Sequence, residues 1–213
     1  MESTPPAARG RHAPPPEVRL PLQRDRLLRA AAREFAQRGY AGATAESISR
    51  RAAMSKATFY EHFANKEQCM LALFDLATEV VQDAMASAAR SAPEGDARAR
   101  MRAATRAFLG TLSDHPDLAQ TLLIEIIGAG PGAGRRRDQT MQAFADVLDA
   151  ENAAASARGL INRFRSPHDA FTIVGAVTEL ISRQVRLGEP ADAMDLAPVI
   201  DRLIAGLLAQ GSP

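Results

Sequence analysis

One cysteine and no tryptophan in 213 residues set the first limits. Cys69 has no second cysteine to pair with, so an internal disulfide is excluded and a reducing, cytoplasmic setting is expected. Without tryptophan no aromatic box for a ligand is evident. No apolar run approaches the roughly 20 residues that a membrane-spanning helix needs. The first residues lack an apolar core, so no secretory signal is expected. No GxSxG, HExxH, P-loop or CxxC pattern occurs. The four histidines, at 12, 62, 115 and 168, are scattered, so no metal cluster is visible. No cofactor is implied, and an enzyme is not expected.

What remains is an ordinary soluble composition, 46% hydrophobic and 24% charged, long enough for one or two domains with a real core. The net charge of +1 hides an asymmetry. Residues 1–66 carry 12 Lys and Arg against 6 Asp and Glu, or +6; the remainder carries 14 against 19, or −5. A basic front joined to an acidic back suggests a nucleic-acid contact in front, although a solvated basic face would read the same way.

Residues 1–19 are rich in proline and arginine and poor in apolar side chains, so they are expected to be a disordered basic tail. From about residue 22 the pattern turns helical. Leu27, Leu28, Ala31 and Phe35 form one stripe at helical spacing, and Gly39 supplies a left-handed stop. Thr44 is an N-cap for a second helix, with Ile48 and Ala52 facing inward. Ala53-Met54-Ser55 makes a turn, and Ser55 caps a third helix over Lys56–Phe63. Phe59 and Phe63 are its core side, and Ser, Lys, Thr, Tyr and His lie close to its exposed side. A short helix of that kind suits the major groove of DNA. Asn65 caps a long fourth helix to about Arg90, with Gln68 in the reciprocal capping-box position.

Further on, Pro93-Glu94-Gly95-Asp96 breaks the chain before a fifth helix, and Pro116 opens a sixth that runs through Ile127. Glycines 128, 130, 132 and 134 make a loop. A seventh helix is expected from about Arg135 to Ala157. An eighth is expected from Ser166 as N-cap with Pro167 at N1, and a ninth from an Asp195 cap. No convincing strand appears, so the fold class is all-α.

The stretch from Arg24 to about Leu76 resembles the N-terminal domain of the TetR family of transcriptional regulators. Phe35, Gly39-Tyr40, Thr44, Ile48, Ala52, the run from Ser55 to Phe63, and Asn65-Lys66-Glu67 carry the resemblance. It implies a three-helix helix-turn-helix DNA-binding domain over residues 20–66, followed by a helical ligand-binding and dimerisation domain over 67–213. DNA contacts are implied for Thr44, Ser55, Lys56, Ala57, Thr58, Tyr60, His62 and Lys66. Lys56 would reach guanine or only a phosphate, Tyr60 more often a phosphate, and Lys66 would act as a phosphate clamp. His62 would lie near the backbone or simply on the surface. Two positions depart from the family pattern. Ala53 stands where glycine is usual, at a cost of roughly 1 kcal/mol if a positive φ is kept, so a slightly remodelled turn is expected. Glu61 must either turn from the phosphates or accept from a cytosine amino group.

The resemblance also implies a homodimer through the last two helices, about 167–187 and 196–210, and a near-palindromic double-stranded DNA operator. A small apolar effector would release such a ligand-responsive repressor. Pocket candidates are Met101, Thr105, Phe108, Leu122, Ile126, Met141, Phe144 and Phe171, each of which is also readable as plain core. Glu125 and Glu179 are either polar anchors or surface carboxylates. Two other readings compete. Residues 122–134 mimic a strand followed by a GxGxxA dinucleotide fingerprint, with Asp149 about 20 residues on. A sequence-indifferent architectural DNA binder is the other, and it would need a broader basic surface.

Overall fold

The computed structural model describes residues 15–209. The tail expectation therefore falls largely outside the described residues, although Pro16–Arg19 are already helical. Pro16 fits the first turn because its missing N–H would have no helical partner there. Helix α1 runs Pro16–Gly42 and breaks direction at Gly39, φ +68°. Two short helices follow, α2 (Ala45–Arg51) and α3 (Lys56–His62), and then the long α4 (Lys66–Ser91). The second half holds α5 (Ala97–Asp114), α6 (Pro116–Leu123), α7 (Pro131–Ala157), α8 (Asp169–Leu187) and α9 (Ala197–Ala209). Single 3-10 turns at Glu125–Gly128 and Ala193–Leu196 precede α7 and α9. The described residues contain no strand, so the fold is all-α.

Capping explains most of the breaks. Thr44 accepts from Ser47 N while Ser47 Oγ accepts from Thr44 N, a reciprocal box. Ser55 caps α3 through Thr58 N, and Asn65 caps α4 through Gln68 N. At Asn65 the described contacts include only this forward half of the expected box.

Several expected boundaries move. The seventh helix starts at Pro131 rather than Arg135, so Gly132 and Gly134 are helical. Residues 122–128 are the end of α6 and a 3-10 turn, so the strand needed for a dinucleotide fingerprint is missing. Helix α8 starts at Asp169 rather than after Ser166, because the Asp169 carboxylate accepts from Arg165 N and Ser166 N and closes a turn there. Asp192, not Asp195, caps the turn before α9, through Met194 N.

One core cluster runs from Leu27 in α1 to Leu208 in α9. Helix α4 packs along α5 and α7 along α8, while α1 docks on α6 and the 3-10 turn after it. Within the first three helices the sequence had hidden a charge. Glu34 is only 2% exposed, and Arg51 Nε donates to its carboxylate at 2.6 Å. Burial pushes the carboxyl up, but hydrogen bonds from Arg51 and Ser47 and the charges of Arg51 and Arg38 outweigh it and hold it below the usual value. The depressed value fixes the sign. Stability from this group is present above the unfolded glutamate value, about 4.3, and is lost as pH falls through the lower folded value. Melting temperature measured against pH should show this acid limb, and Glu34→Gln should flatten it.

The turn between α2 and α3 is not remodelled. Ala53 keeps φ at +53°, alone among the described non-glycine residues in having a positive φ. Ala53→Gly should therefore raise stability by roughly 1 kcal/mol, read as a higher denaturant midpoint at unchanged m.

Candidate nucleic-acid interface and effector cavity

Helix α3 has only seven residues, too few to persist alone. Its position depends on Phe59, fully buried, and Phe63, 4% exposed, whose ring centroids lie 5.5 Å apart. With these two pinned inward, the opposite side must face out. Ser55, Lys56, Ala57 and Tyr60 are exposed and Thr58 is half-buried, with Ser55 Oγ and Thr58 Oγ1 2.9 Å apart. Thr44, at the start of α2, is exposed. The structure thus brings six of the eight expected DNA contacts onto accessible surface around α2 and α3. Glu61 is exposed there as well.

The other two residues, Lys66 and His62, are half-buried. Lys66 Nζ donates to Tyr40 O at 2.6 Å and to Ala43 O at 3.0 Å, and lies 4.1 Å from the Tyr40 ring centroid. Burial lowers its pKa. It fastens the loop after α1 to the start of α4, which is a different task from an outstretched phosphate clamp. His62 is half-buried and its Nε2 is buried with no hydrogen-bond partner. Burial lowers its pKa as well, more than the neighbouring Glu61 charge raises it.

Glu125, left open between anchor and surface, is neither. Its Oε2 accepts from Tyr40 N at 2.6 Å and its Oε1 accepts from Gln120 Nε2 at 2.9 Å. The Tyr40 backbone is therefore held on both sides, at its N–H by a carboxylate from the 3-10 turn and at its carbonyl by the α4 lysine. Nearby, Glu67 reaches the start of α7. A Cβ added to Gly132 would lie 2.5 Å from its Oε1, the far end of a flexible side chain that can swing aside. Glu179 is exposed and pairs with Arg186 at 2.9 Å.

A cavity of about 760 Å³ opens among α4, α5, α7 and α8. Met101, Thr105, Phe108, Leu122, Met141 and Phe144 line it, as expected from the sequence. Ile126 and Phe171 do not. Ile126 is fully buried in the core, and Phe171 is 41% exposed on the outer side of α8. Sequence reasoning missed Phe74 and Met85 on α4, and also the polar end of the cavity. On α4 the lining runs from Phe74 to Arg90, about 24 Å of helix. Arg90, Arg100 and Arg158 join it with Glu94 and Glu151. Cys69 is fully buried and its thiol is pushed up to about 12 by burial, so it is inert.

Residues 27–73 match the model of the bacterial regulatory proteins of the tetR family. That stretch is a TetR-type N-terminal region, and it covers 47 of the 213 residues. The chain is 34% identical over 109 residues to the HTH-type transcriptional activator FasR of Mycolicibacterium smegmatis, covering 50% of this chain and 48% of that protein. The match thus spans about half the length of this curated relative. Solved TetR-like folds agree over more of the chain. The fatty acid degradation regulator FadR from Bacillus halodurans superposes with a TM-score of 0.77 at 20% identity, covering 87% of this chain and 94% of its own. FadR from Bacillus subtilis, solved with stearoyl-CoA, gives 0.74 at 17% identity over 89% and 99%. Likeness at such low identity establishes the fold alone.

Proposed function

We propose that this protein is a TetR-family transcriptional regulator that binds a near-palindromic operator as a two-fold dimer and is switched by an elongated apolar effector. One observation carries the reading: a seven-residue helix with Phe59 and its C-cap Phe63 locked inward and Lys56, Ala57 and Tyr60 outward, inside the region that matches the family. Lys56, Thr58 and Tyr60 contact base edges and phosphates, and Thr44 offers a hydroxyl and helix-start amides to a phosphate. Two such helices in a dimer would sit roughly 34–36 Å apart, one turn of duplex. Helices α8 and α9 make the dimer. Phe171 and Val199 are exposed on them, and a Cβ added at Gly175 or Gly206 meets nothing within 4 Å, so a partner helix can approach closely.

The effector is a long apolar chain with an anionic head, of the fatty-acyl thioester kind that Bacillus subtilis FadR holds. Support comes from the methionine- and phenylalanine-lined cavity with arginines at the Arg90 end of α4. Occupancy biases the grip of Glu125 and Lys66 on Tyr40, and so the setting of α3. FasR is named an activator, so the sign of control does not follow from family membership.

Selecting duplexes from a random pool separates this reading from a sequence-indifferent binder. An enriched inverted repeat supports it, and an unchanged pool refutes it. Lys56→Ala should then weaken the selected duplex by roughly 1–3 kcal/mol if it reads a guanine, or lower the salt slope by about one if it meets a phosphate. For the effector, stearoyl-CoA should raise the melting temperature and alter DNA binding, whereas coenzyme A without the chain should not. Equal effects of the two would refute the apolar site.

A further inference from the structure

A second concavity lies outside both the α3 surface and the apolar cavity. It is an open groove of about 710 Å³ between the DNA-binding helices and the start of α7. Helix α1 gives it Arg24, the end of α3 gives His62, α4 gives Gln68 and Asp75, and α7 gives Arg135 and Arg136.

Its charge is one-sided. Asp75 is the acid that lines it, and Asp75 already accepts from Arg136 Nε at 2.6 Å. Among the described residues, Arg24 and Arg135 have no carboxylate within ion-pair distance. Arg24 is nevertheless held in place, with its guanidinium carbon 5.3 Å from the Phe63 ring centroid. His62 lines the same wall, with its Nε2 buried beneath the surface and without a hydrogen-bond partner. Buried polar nitrogens are ordinarily satisfied, and leaving one unpaired carries a cost. A concave site with unpaired guanidinium groups concentrates anions. The volume suits something larger than a bare halide.

We propose that this groove binds a phosphate-type oxyanion, held by Arg24 from the DNA-binding helices and by Arg135 from α7, with His62 beside it in the wall. An anion there ties the two halves of the chain together at a point separate from the apolar cavity. Its source is either the DNA backbone or a free phosphorylated metabolite. The inference stands apart from the effector reading, because no residue of the apolar cavity takes part.

Ring-proton NMR of His62 tests it, with the signal assigned by its loss in His62→Gln. The full chain is titrated with sodium phosphate, and with sodium chloride at matched ionic strength. Phosphate should move the His62 signals and chloride should not, and Arg135→Gln should weaken the phosphate response about tenfold. Arg135 makes no ion pair among the described residues, so this variant should keep the native circular dichroism and melting curve. Movement on adding a selected duplex, but not free phosphate, assigns the anion to the DNA backbone. Arg135→Gln should then lower the salt slope of DNA binding by about one. Unmoved His62 signals with both phosphate and duplex would overturn the proposal. So would equal movement with chloride, or an Arg135→Gln variant whose response matches the wild type.

Discussion

Phe59→Ala should unfold the N-terminal helices at a cost of about 3–5 kcal/mol and abolish DNA binding with them. The side chain is fully buried, and its ring lies 5.4 Å from Tyr60 and 5.5 Å from Phe63 between centroids. Little else is available to hold α3. Seven residues cannot sustain a helix against the entropy of ordering them, so tertiary anchoring must supply the difference. Truncating Phe59 opens a cavity in the core beneath the helix. Tyr60, one residue on and 50% exposed, provides the contrast. Tyr60→Ala should leave stability within roughly 0.5 kcal/mol and act only on DNA affinity. Denaturant unfolding of the two variants decides the matter. A Phe59→Ala midpoint equal to wild type would mean that α3 is anchored by something else.

The second large effect belongs to Glu125. Glu125→Ala should cost about 1.5–3 kcal/mol, because a charge-assisted bond is lost and the Tyr40 amide is left without its acceptor. The bond is short, 2.6 Å, and joins residues 85 positions apart. On the other side of the same residue, Lys66 donates to Tyr40 O at 2.6 Å. The chain has just left helical geometry at Gly39, so no helical partner offers itself for the Tyr40 N–H. Glu125→Gln keeps an acceptor and should lose less than the alanine variant. DNA affinity and its response to an effector should both fall in Glu125→Ala, with effector affinity little changed, because Glu125 does not line the cavity. Fluorescence anisotropy and urea unfolding read these separately. An alanine variant that matched wild type in both would show that this bond does not couple the two halves.

Local chemistry is what the sequence displays well. The Thr44, Ser55 and Asn65 caps, the left-handed Gly39, and the inward spacing of Phe59 and Phe63 all depend on neighbours within a few residues, and all are found where the sequence places them. The start of α8 depends on Asp169 reaching back to two amides, which competes with an equally plausible Ser166 cap. Lys66 was legible as a conspicuous cation, but a long flexible stem meets whatever tertiary structure puts within reach, here two carbonyls and a tyrosine face. Phe171 and Met101 look alike as apolar helix residues; only the packing of α8 turns one outward and the other into the cavity. Glu34 gave no signal, because its partner Arg51 lies 17 positions away on another helix. Its position four residues before Arg38 suggested nothing beyond a surface pair.

The direct test of the polar side of α3 as the DNA reader is a triple variant, Lys56→Ala with Thr58→Ala and Tyr60→Ala, assayed on a duplex selected by the wild-type protein. Helix content and melting should stay near wild type while affinity for the selected duplex falls to that for random DNA. Undiminished binding by a folded triple variant would place DNA recognition on some other surface of the molecule.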